Sequence, residues 1–303
     1  MEPKKGFITI ATGNEKYYIL ARNLLRSYKN NCKNEDIPFC IICDRKNEYT
    51  EEFDDVVIIE NPNNSYMDKL LLYKYSPYEE TIFIDADSLI LADPSCLWND
   101  FSNSDDVSCY GVSLPLDSDK GWFDYENCGD YKDQIKFLID LHGGIYYFRK
   151  SKRCEQIFKQ AISIASEYTK YKFKNFSKPA DEPVMAFSMA ISHCCPYEGK
   201  IRLIFVPSYR GRLRVNKKGE LLIKSDSNVY KSADEVICHF ATPNTRLFIY
   251  KYLVFICEQK YLHGNKKYTA FDYYKIRLMT LPMNVKATLR HMAGRVLRKI
   301  LRS

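Results

Sequence analysis

The stretch "TIFIDADSLIL", Thr81 to Leu91, sets two aspartates, Asp85 and Asp87, one residue apart inside an otherwise apolar segment. An unpaired buried charge costs several kcal/mol even after relaxation, so such a pair implies a positive partner, and a metal ion is the first candidate. A bare Asp-x-Asp is weak by itself, and the chain carries its own control. Asp117 and Asp119 in "DSD" have the same spacing but stand among polar turn residues, which reads as a solvated loop. Asp85-Ala86-Asp87 differs by following the strand-like "TIFI" directly, where alternation aims both carboxylates from a strand end into one cleft, for metal or ribose binding. A turn or helix-capping pair is the bland alternative.

Two further sets could do chemistry. "PADEPVMAFSMA" places Asp181 and Glu182 at the start of an amphipathic helix, where acids complement the dipole and cap free amides for roughly 0.5–2 kcal/mol. Of the five histidines only His239 closes a strand-like run, "EVICHF", where a satisfied core histidine is the bland alternative; His193, His263 and His291 have no such context. Cys40 and Cys43 form a CxxC in a β-like run, but no second CxxC completes four zinc ligands, so they read as buried strand cysteines.

The elements that must position these groups alternate in period. "GFITIAT", "PFCIICD", "DVVIIE" and "TIFID" read as strands, with helices at Glu15 to Lys29 and Ser65 to Tyr75 between them, an α/β pattern with a mostly parallel sheet. Ligands of such sheets sit at the carboxyl ends of strands, where Asp85, Asp87 and the "ATGN" turn, Ala11 to Asn14, emerge. An acidic, loop-like region follows around Asp105 to Asp133. Then come "GGIYYFRKS" as a strand, helices at Cys154 to Tyr171 and Glu182 to Ser192, "RLIFVP" and a hairpin across "NKKGE", the strand "EVICHF", and closing helices.

With 303 residues and 46% apolar content the chain is globular rather than disordered, and no window reaches the roughly 18 uninterrupted apolar residues of a membrane span. Eleven scattered cysteines with no secretory leader ahead of them fit a reducing cytoplasm. The formal charge of +7 hints at nucleic acid until it is located. From Tyr273 to Ser303 there are eight bases and no acids; with those set aside, 37 of the 45 Lys+Arg face 38 Asp+Glu. Within that tail Val285, Leu289, Met292, Val296 and Ile300 recur at helical spacing, with Lys286, Arg290, Arg295, Arg298 and Arg302 mostly off the stripe and Pro282 as a start. A basic amphipathic helix reads as an anionic membrane-surface element, with a helix packed on the domain behind a solvated basic face as the alternative, rather than as a nucleic-acid binder, because aromatics are not interleaved with the bases.

The set "FITIAT", "DKLLLY", "IFIDADSLIL", "LHGGIYYFRKS", "DEPVMAFSMA" and "VICHF", in that order, resembles the GT-A glycosyltransferases of family 8, the glycogenin and bacterial lipopolysaccharide galactosyltransferase type, over roughly residues 6 to 245. The resemblance implies a Rossmann-like nucleotide-sugar-binding fold with a mixed, mostly parallel sheet flanked by helices. Residues 1–245 form its catalytic domain (1–100 the nucleotide-binding half, 101–245 the acceptor and donor-sugar half), and 246–303 form a C-terminal helical extension with the basic tail. It implies a UDP-hexose donor held by Ala11, Thr12, Asn14 and Tyr17, the tyrosine stacking on the base, with Lys69 of "MDKLL" reaching the donor and Asp85, Ala86 and Asp87 at the motif. It implies Mn²⁺, with Mg²⁺ the alternative, on Asp85, Asp87 and His239; oxygen ligands plus one imidazole suit such an ion, which stabilises charge on the UDP leaving group. His142 falls where the family has an asparagine facing the donor sugar, either to contact a sugar hydroxyl or simply to cap the "GG" turn with Gly143, and Asp181 aligns with a sugar-binding aspartate. The acceptor is then a cell-surface or lipid-linked glycan, as in polysaccharide biosynthesis, and the enzyme is cytoplasmic and peripheral to the inner membrane face.

The chain departs from the pattern twice. Glu182 stands where an amide is common, and a carboxylate there can act as a nucleophile or base, which opens the stereochemistry although retention is the family expectation. Thr242 and Thr245 replace the family's phosphate-binding glycine and lysine; Arg246 can substitute through its guanidinium. The stretch "DSDKGWFDYENCGDYKD" with Trp122 and Tyr125 is a candidate acceptor wall or an ordinary solvated loop. Two rival classes are a non-catalytic nucleotide-sugar or glycan-binding protein on the same fold, and a haloacid-dehalogenase-type phosphatase, whose D-x-D belongs near the domain start.

Overall fold

The computed structural model describes residues 4–33, 37–174, 178–209, 211–225, 229–264 and 268–300, with side chains described as far as residue 289. Residues up to Arg202 and residues from Leu203 onward form two compact units.

The first unit opens with β1 (Lys5–Ala11), α1 (Glu15–Asn31), β2 (Phe39–Cys43) and β3 (Asp55–Ile58). Every residue of β2, "FCIIC", is buried, the continuous apolar run expected of a parallel strand covered on both faces. Cys40 and Cys43 are wholly buried there, and none of the eleven cysteines is in a disulfide. α1 starts at Asn14, whose side chain accepts from the Lys16 amide, and carries Glu15 in its first turn and Lys29 in its last, matching both ends of the dipole. The helix expected over Ser65 to Tyr75 is instead a 3₁₀ segment over Tyr66–Leu71, α-helical only in α2 (Leu72–Tyr75). Its tighter winding has a local cause: the buried Asp68 carboxylate reaches back to Asn63 instead of continuing a helical face.

β4 (Glu80–Ile84), β5 (Ser88–Ile90), α3 (Ser95–Phe101), β6 (Val107–Ser108), β7 (Gly111–Leu114), β8 (Leu138–Leu141), β9 (Ile145–Arg149), α4 (Lys152–Ser166) and α5 (Asp181–Ile191) complete the unit. The helix expected to run from Cys154 to Tyr171 breaks after Ser166 into a 3₁₀ turn, Tyr168–Tyr171, closed by Lys172 at φ 48°. A six-stranded sheet has the order β3-β2-β1-β4-β9-β6; β3, β2, β1 and β4 are parallel, and β9 runs antiparallel to β4 and β6. Ile8, Ile42, Phe83 and Tyr146 of the sheet pack with Ile157 of α4 and Phe187 of α5 in one core. Because β1, β2 and β4 are parallel, the residues after Ala11, Cys43 and Ile84 emerge along one edge of this sheet.

In the second unit β10 (Leu203–Phe205) pairs in parallel with β14 (Ile237–His239), and β11 (Leu213–Val215), β12 (Leu221–Lys224) and β13 (Tyr230–Ser232) form an antiparallel meander. The hairpin expected across "NKKGE" is present, with Asn216 Oδ1 accepting from the amides of Lys218 and Glu220. α6 (Phe248–His263) and α7 (Ala270–Ile300) pack through the Tyr273 ring, 5.1 Å from that of Phe248 and 5.0 Å from that of Tyr252. Pro282 lies inside α7 and does not start it. Among the described residues no helix is long and apolar enough to cross a membrane.

Candidate functional site

Asp85, Ala86 and Asp87 form the turn between β4 and β5, held by Asp85 N–H donating to Gly144 O at 3.0 Å and Ser88 N–H donating to Asp85 O at 3.0 Å. Ala86 is buried and the two aspartates are half-buried, whereas Asp117 and Asp119 of the look-alike "DSD" are exposed. Burying one face of the turn leaves both carboxylates at the carboxyl edge of the sheet.

Lys69 meets them from the 3₁₀ segment. Its Nζ lies 2.9 Å from Asp85 Oδ2 and 3.3 Å from Asp181 Oδ2, and donates to Gly143 O at 3.1 Å. The lysine is 7% exposed. Burial works against its charge, but the Asp181 and Asp85 carboxylates outweigh that and raise its pKa above the ordinary lysine value. It is therefore an ammonium, clamped between two acids from distant parts of the chain.

Asp181 and Glu182 occupy the first turn of α5, yet neither caps it: the N-cap is Ala180, without a side-chain cap bond. Asp181 Oδ2 instead accepts from the buried Tyr146 hydroxyl at 3.1 Å, and Glu182 Oε1 accepts from the Gly143 amide at 2.8 Å. Gly143 permits that approach, since a Cβ there would stand 2.4 Å from Glu182 Cγ. Burial first, and the Asp181 carboxylate second, push the Glu182 carboxyl up to about 7, against the pull of Lys69 and the Gly143 N–H. The site thus holds one fixed cation, two neighbouring acids, and one carboxyl poised near neutrality.

The "ATGN" turn is held by two aspartates that sequence reasoning missed. Thr12 Oγ1 donates to Asp68 Oδ2 at 2.9 Å, and the Gly13 amide donates to Asp44 Oδ1 at 3.2 Å. Asp44 also accepts from the Tyr18 hydroxyl. Ala11 is buried at the end of β1, Asn14 serves as the N-cap of α1, and Tyr17 is half-buried with the Lys16 ammonium 4.6 Å from its ring centre. Asp44 was findable, because it follows β2 as Asp85 follows β4. Asp68 was not: beside Lys69 it reads as an ordinary helix acid.

The remaining candidates are placed as follows. His142 is half-buried, with its amide donating to Tyr110 O at 2.9 Å. Arg246 is exposed at the end of a 3₁₀ segment, Thr242–Arg246, where Thr245 is buried and donates to Thr242 O at 2.7 Å. His239 ends β14 at 7% exposure, its ring 5.5 Å from that of Phe205. Asp85 and Asp87 offer carboxylate oxygens and His239 an imidazole nitrogen, a donor set whose chemistry suits a hard divalent cation. The stretch from Asp117 to Asp133 is anchored, not loose: Phe123 is buried against Phe187, Trp122 Nε1 donates to Leu141 O at 3.0 Å, and Lys174 pairs with Asp124 at 2.6 Å. An open pocket of about 530 Å³ lies along it, lined by Leu116 to Ser118 and Asp124 to Asn127.

No protein-family model matches the chain, and no curated protein matches it by sequence. Solved structures do. The chain is similar to the galactosyltransferase LgtC in complex with donor and acceptor sugar analogs, with a TM-score of 0.54 at 11% identity over 89% of this chain and 99% of that one. It is also similar to the apo structure of the bifunctional glycosyltransferase WbbM, with a TM-score of 0.51 at 13% identity over 92% of this chain and 52% of that one. At such identities the likeness concerns the backbone. The mixed, mostly parallel sheet flanked by helices, with its Asp-x-Asp turn after β4, is the GT-A fold of the glycosyltransferases.

Proposed function

We propose that the protein is a metal-dependent glycosyltransferase that moves a hexose from a UDP-sugar onto a cell-surface or lipid-linked glycan, with retention expected from the family resemblance. The observation that carries this is the convergence, on a GT-A fold, of Lys69, Asp181 and Glu182 on the Asp85-Ala86-Asp87 turn. The phosphatase reading fails because the motif follows the fourth strand of the chain rather than opening the domain.

In this reading the Thr12–Asn14 turn and Tyr17 hold the nucleoside, Asp85, Asp87 and His239 hold the divalent cation, and Arg246 contacts phosphate. A bound Mn²⁺ or Mg²⁺ supplies Lewis-acid stabilisation of charge growing on the diphosphate. Lys69 brings a fixed positive charge into a buried, low-dielectric site, where it orients Asp85 and Asp181 and favours an anionic donor. Asp181, aligned by the Tyr146 hydroxyl, accepts hydrogen bonds from the donor sugar. His142 and Gly143 line that sugar. Glu182, with its pKa near neutrality, has the ionisation suited to taking the acceptor hydroxyl's proton or to attacking the anomeric carbon itself. Catalysis belongs to residues 1–245, with 246–303 as an appended helical part, and a lipid-linked acceptor would place the reaction at the inner face of the membrane.

The test is a panel of nucleotide sugars with and without Mn²⁺, read by released nucleotide. Release of UDP from one UDP-hexose, dependent on the metal, is expected. Binding without release in the presence of candidate acceptors would favour a non-catalytic binding protein, and no response to any UDP-sugar would overturn the donor assignment.

A further inference from the structure

Positive charge gathers in two places in the second unit. One is the end of α7, where Met292, Val296, Ile300 and the four arginines from Arg290 onward lie outside the described side chains. The other is the meander of β11, β12 and β13: from Gly211 to Ala233 the sequence has six bases and two acids. Pairing sorts these charges by face, because residues directly opposite in an antiparallel ladder share a side. Leu213 with Ile223, and Val215 with Leu221, make the inner side, and Leu213, Val215 and Leu221 are buried. The meander is fastened to the helices of its unit by the Tyr252 hydroxyl donating to Lys217 O at 2.8 Å and that of Tyr273 to Val215 O at 3.3 Å. At its turn Gly219 is pressed so close that a Cβ there would stand 2.4 Å from Ile256 Cδ1.

The outer side has two rungs without a carboxylate. Arg212, Lys224 and Tyr230 form one, fixed by the Lys224 amide donating to Arg212 O at 2.7 Å and by the register of Lys224 on Tyr230. Arg214, Leu222 and Ser232 form the other. Both arginines are exposed and Lys224 is half-buried. The Arg214 guanidinium reaches across β12 to lie 4.4 Å from the Tyr230 ring centre, a contact that restrains it above the sheet. The acid next in register, Glu220, sits at the turn and accepts from Asn216 Nδ2 at 2.6 Å. Given the rise along a strand and the spacing between strands, the three cations are rooted about 5–7 Å apart. That spread suits successive anionic groups of one chain better than a single small ion. It suits a bilayer or a nucleic acid less well: Leu222 is half-buried and leaves little to insert among acyl chains, and the Tyr230 ring is already engaged by Arg214.

We propose that the outer face of the meander binds the phosphate groups of a phosphate-bearing polysaccharide through Arg212, Arg214 and Lys224. The choice of a glycan rests on the glycosyl-transfer reading, and adds to it that the acceptor chain is anionic. The attraction is measured without nucleotide or metal, so either claim can fail alone. The full chain is titrated with phosphorylated dextran and with neutral dextran of equal length, and the titration is repeated with a single-stranded oligonucleotide and with phosphatidylglycerol vesicles. Wild type is expected to bind the phosphorylated polymer, to ignore the neutral one, and to release as salt rises. Arg214→Gln/Lys224→Gln should weaken binding about tenfold and lower the slope of log affinity against log salt by about one per cation removed. Lys275→Gln/Lys286→Gln, which takes the same charge from the exposed side of α7, should stay within about twofold of wild type. Melting curves check folding; should the meander variant melt early, Lys224→Gln alone decides, with a loss of about threefold. Equal binding of the two dextrans, a meander variant that binds like wild type, or an equal loss in the α7 variant overturns the proposal. An oligonucleotide or vesicle that binds more tightly than phosphorylated dextran, and loses most in the meander variant, overturns the choice of a glycan.

Discussion

Lys69 Nζ stands 2.9 Å from Asp85 Oδ2, so the first aspartate of the Asp-x-Asp turn is paired with a buried ammonium contributed by the segment before β4. Removing one partner of a buried pair leaves an uncompensated charge. Lys69→Met should lower stability by about 3–5 kcal/mol. Because a divalent cation on Asp85 and Asp87 can replace the lost charge, Mn²⁺ should raise the melting temperature of the variant more than that of wild type. Equal shifts would show that Lys69 and the metal do not share Asp85.

Glu182 gives a pH signature with a definite sign. Its folded pKa of about 7 lies above the ordinary value of 4.5, so between those pH values the folded state keeps a proton that the unfolded chain has lost. Stability should therefore fall as pH rises through that window, by roughly 3 kcal/mol in full, and stay level above it. Glu182→Gln removes the titration, so the difference between wild type and variant should vanish on the acid side and grow toward neutral pH. In the same variant turnover should drop by roughly 10² with UDP binding intact. An unchanged rate would leave Glu182 a structural acceptor for the Gly143 amide.

The Thr12–Asp68 bond predicts a contrast between near-isosteric substitutions. Thr12→Ser keeps the hydroxyl that donates to Asp68, and Thr12→Val keeps the shape but takes that donor from Asp68 Oδ2. The valine variant should weaken UDP binding by about tenfold, the cost of one lost hydrogen bond to a buried acid, with the serine variant close to wild type. Titration calorimetry with UDP checks this, and equal affinities would detach the turn from the nucleotide.

Gly143→Ala tests the closeness of the loop to α5. The added Cβ would meet Glu182 Cγ at 2.4 Å and the Tyr146 hydroxyl at 3.0 Å, so Glu182 must swing away. A stability loss of about 1–3 kcal/mol is expected, with a larger fractional loss in turnover. Full activity would mean that Glu182 acts from another position.

The parallel strands were legible because their apolar runs are short, β-branched and followed by polar turns; "FCIIC" and "TIFI" could be little else. The Asp-x-Asp turn was legible for the same reason, and its exposed counterpart at Asp117 was correctly set aside. Winding was harder to read. The 3₁₀ form of Tyr66–Leu71 depends on Asp68 reaching Asn63 and Thr12, and periodicity carries no trace of a bond to a distant residue. The structural reading of Asp181 and Glu182 as helix caps misled in the opposite direction. Their place at a helix start predicted capping, whereas Lys69, Tyr146 and Gly143 draw both side chains away. Pro282 read as a helix start because proline suits a first turn, but α7 tolerates it internally.

The most direct test of the central claim is the melting temperature of wild type and of Asp87→Asn with UDP, with Mn²⁺, and with both together. The account predicts that UDP with Mn²⁺ raises the Tm of wild type by the equivalent of roughly 2.7 kcal/mol at 100 times the dissociation constant, while GDP, or Mg²⁺ alone, does much less. Asp87→Asn should stay folded and lose the Mn²⁺-dependent part, and Asp119→Asn should behave as wild type. No UDP-dependent shift in wild type, or an undiminished Mn²⁺ effect in Asp87→Asn, would contradict it.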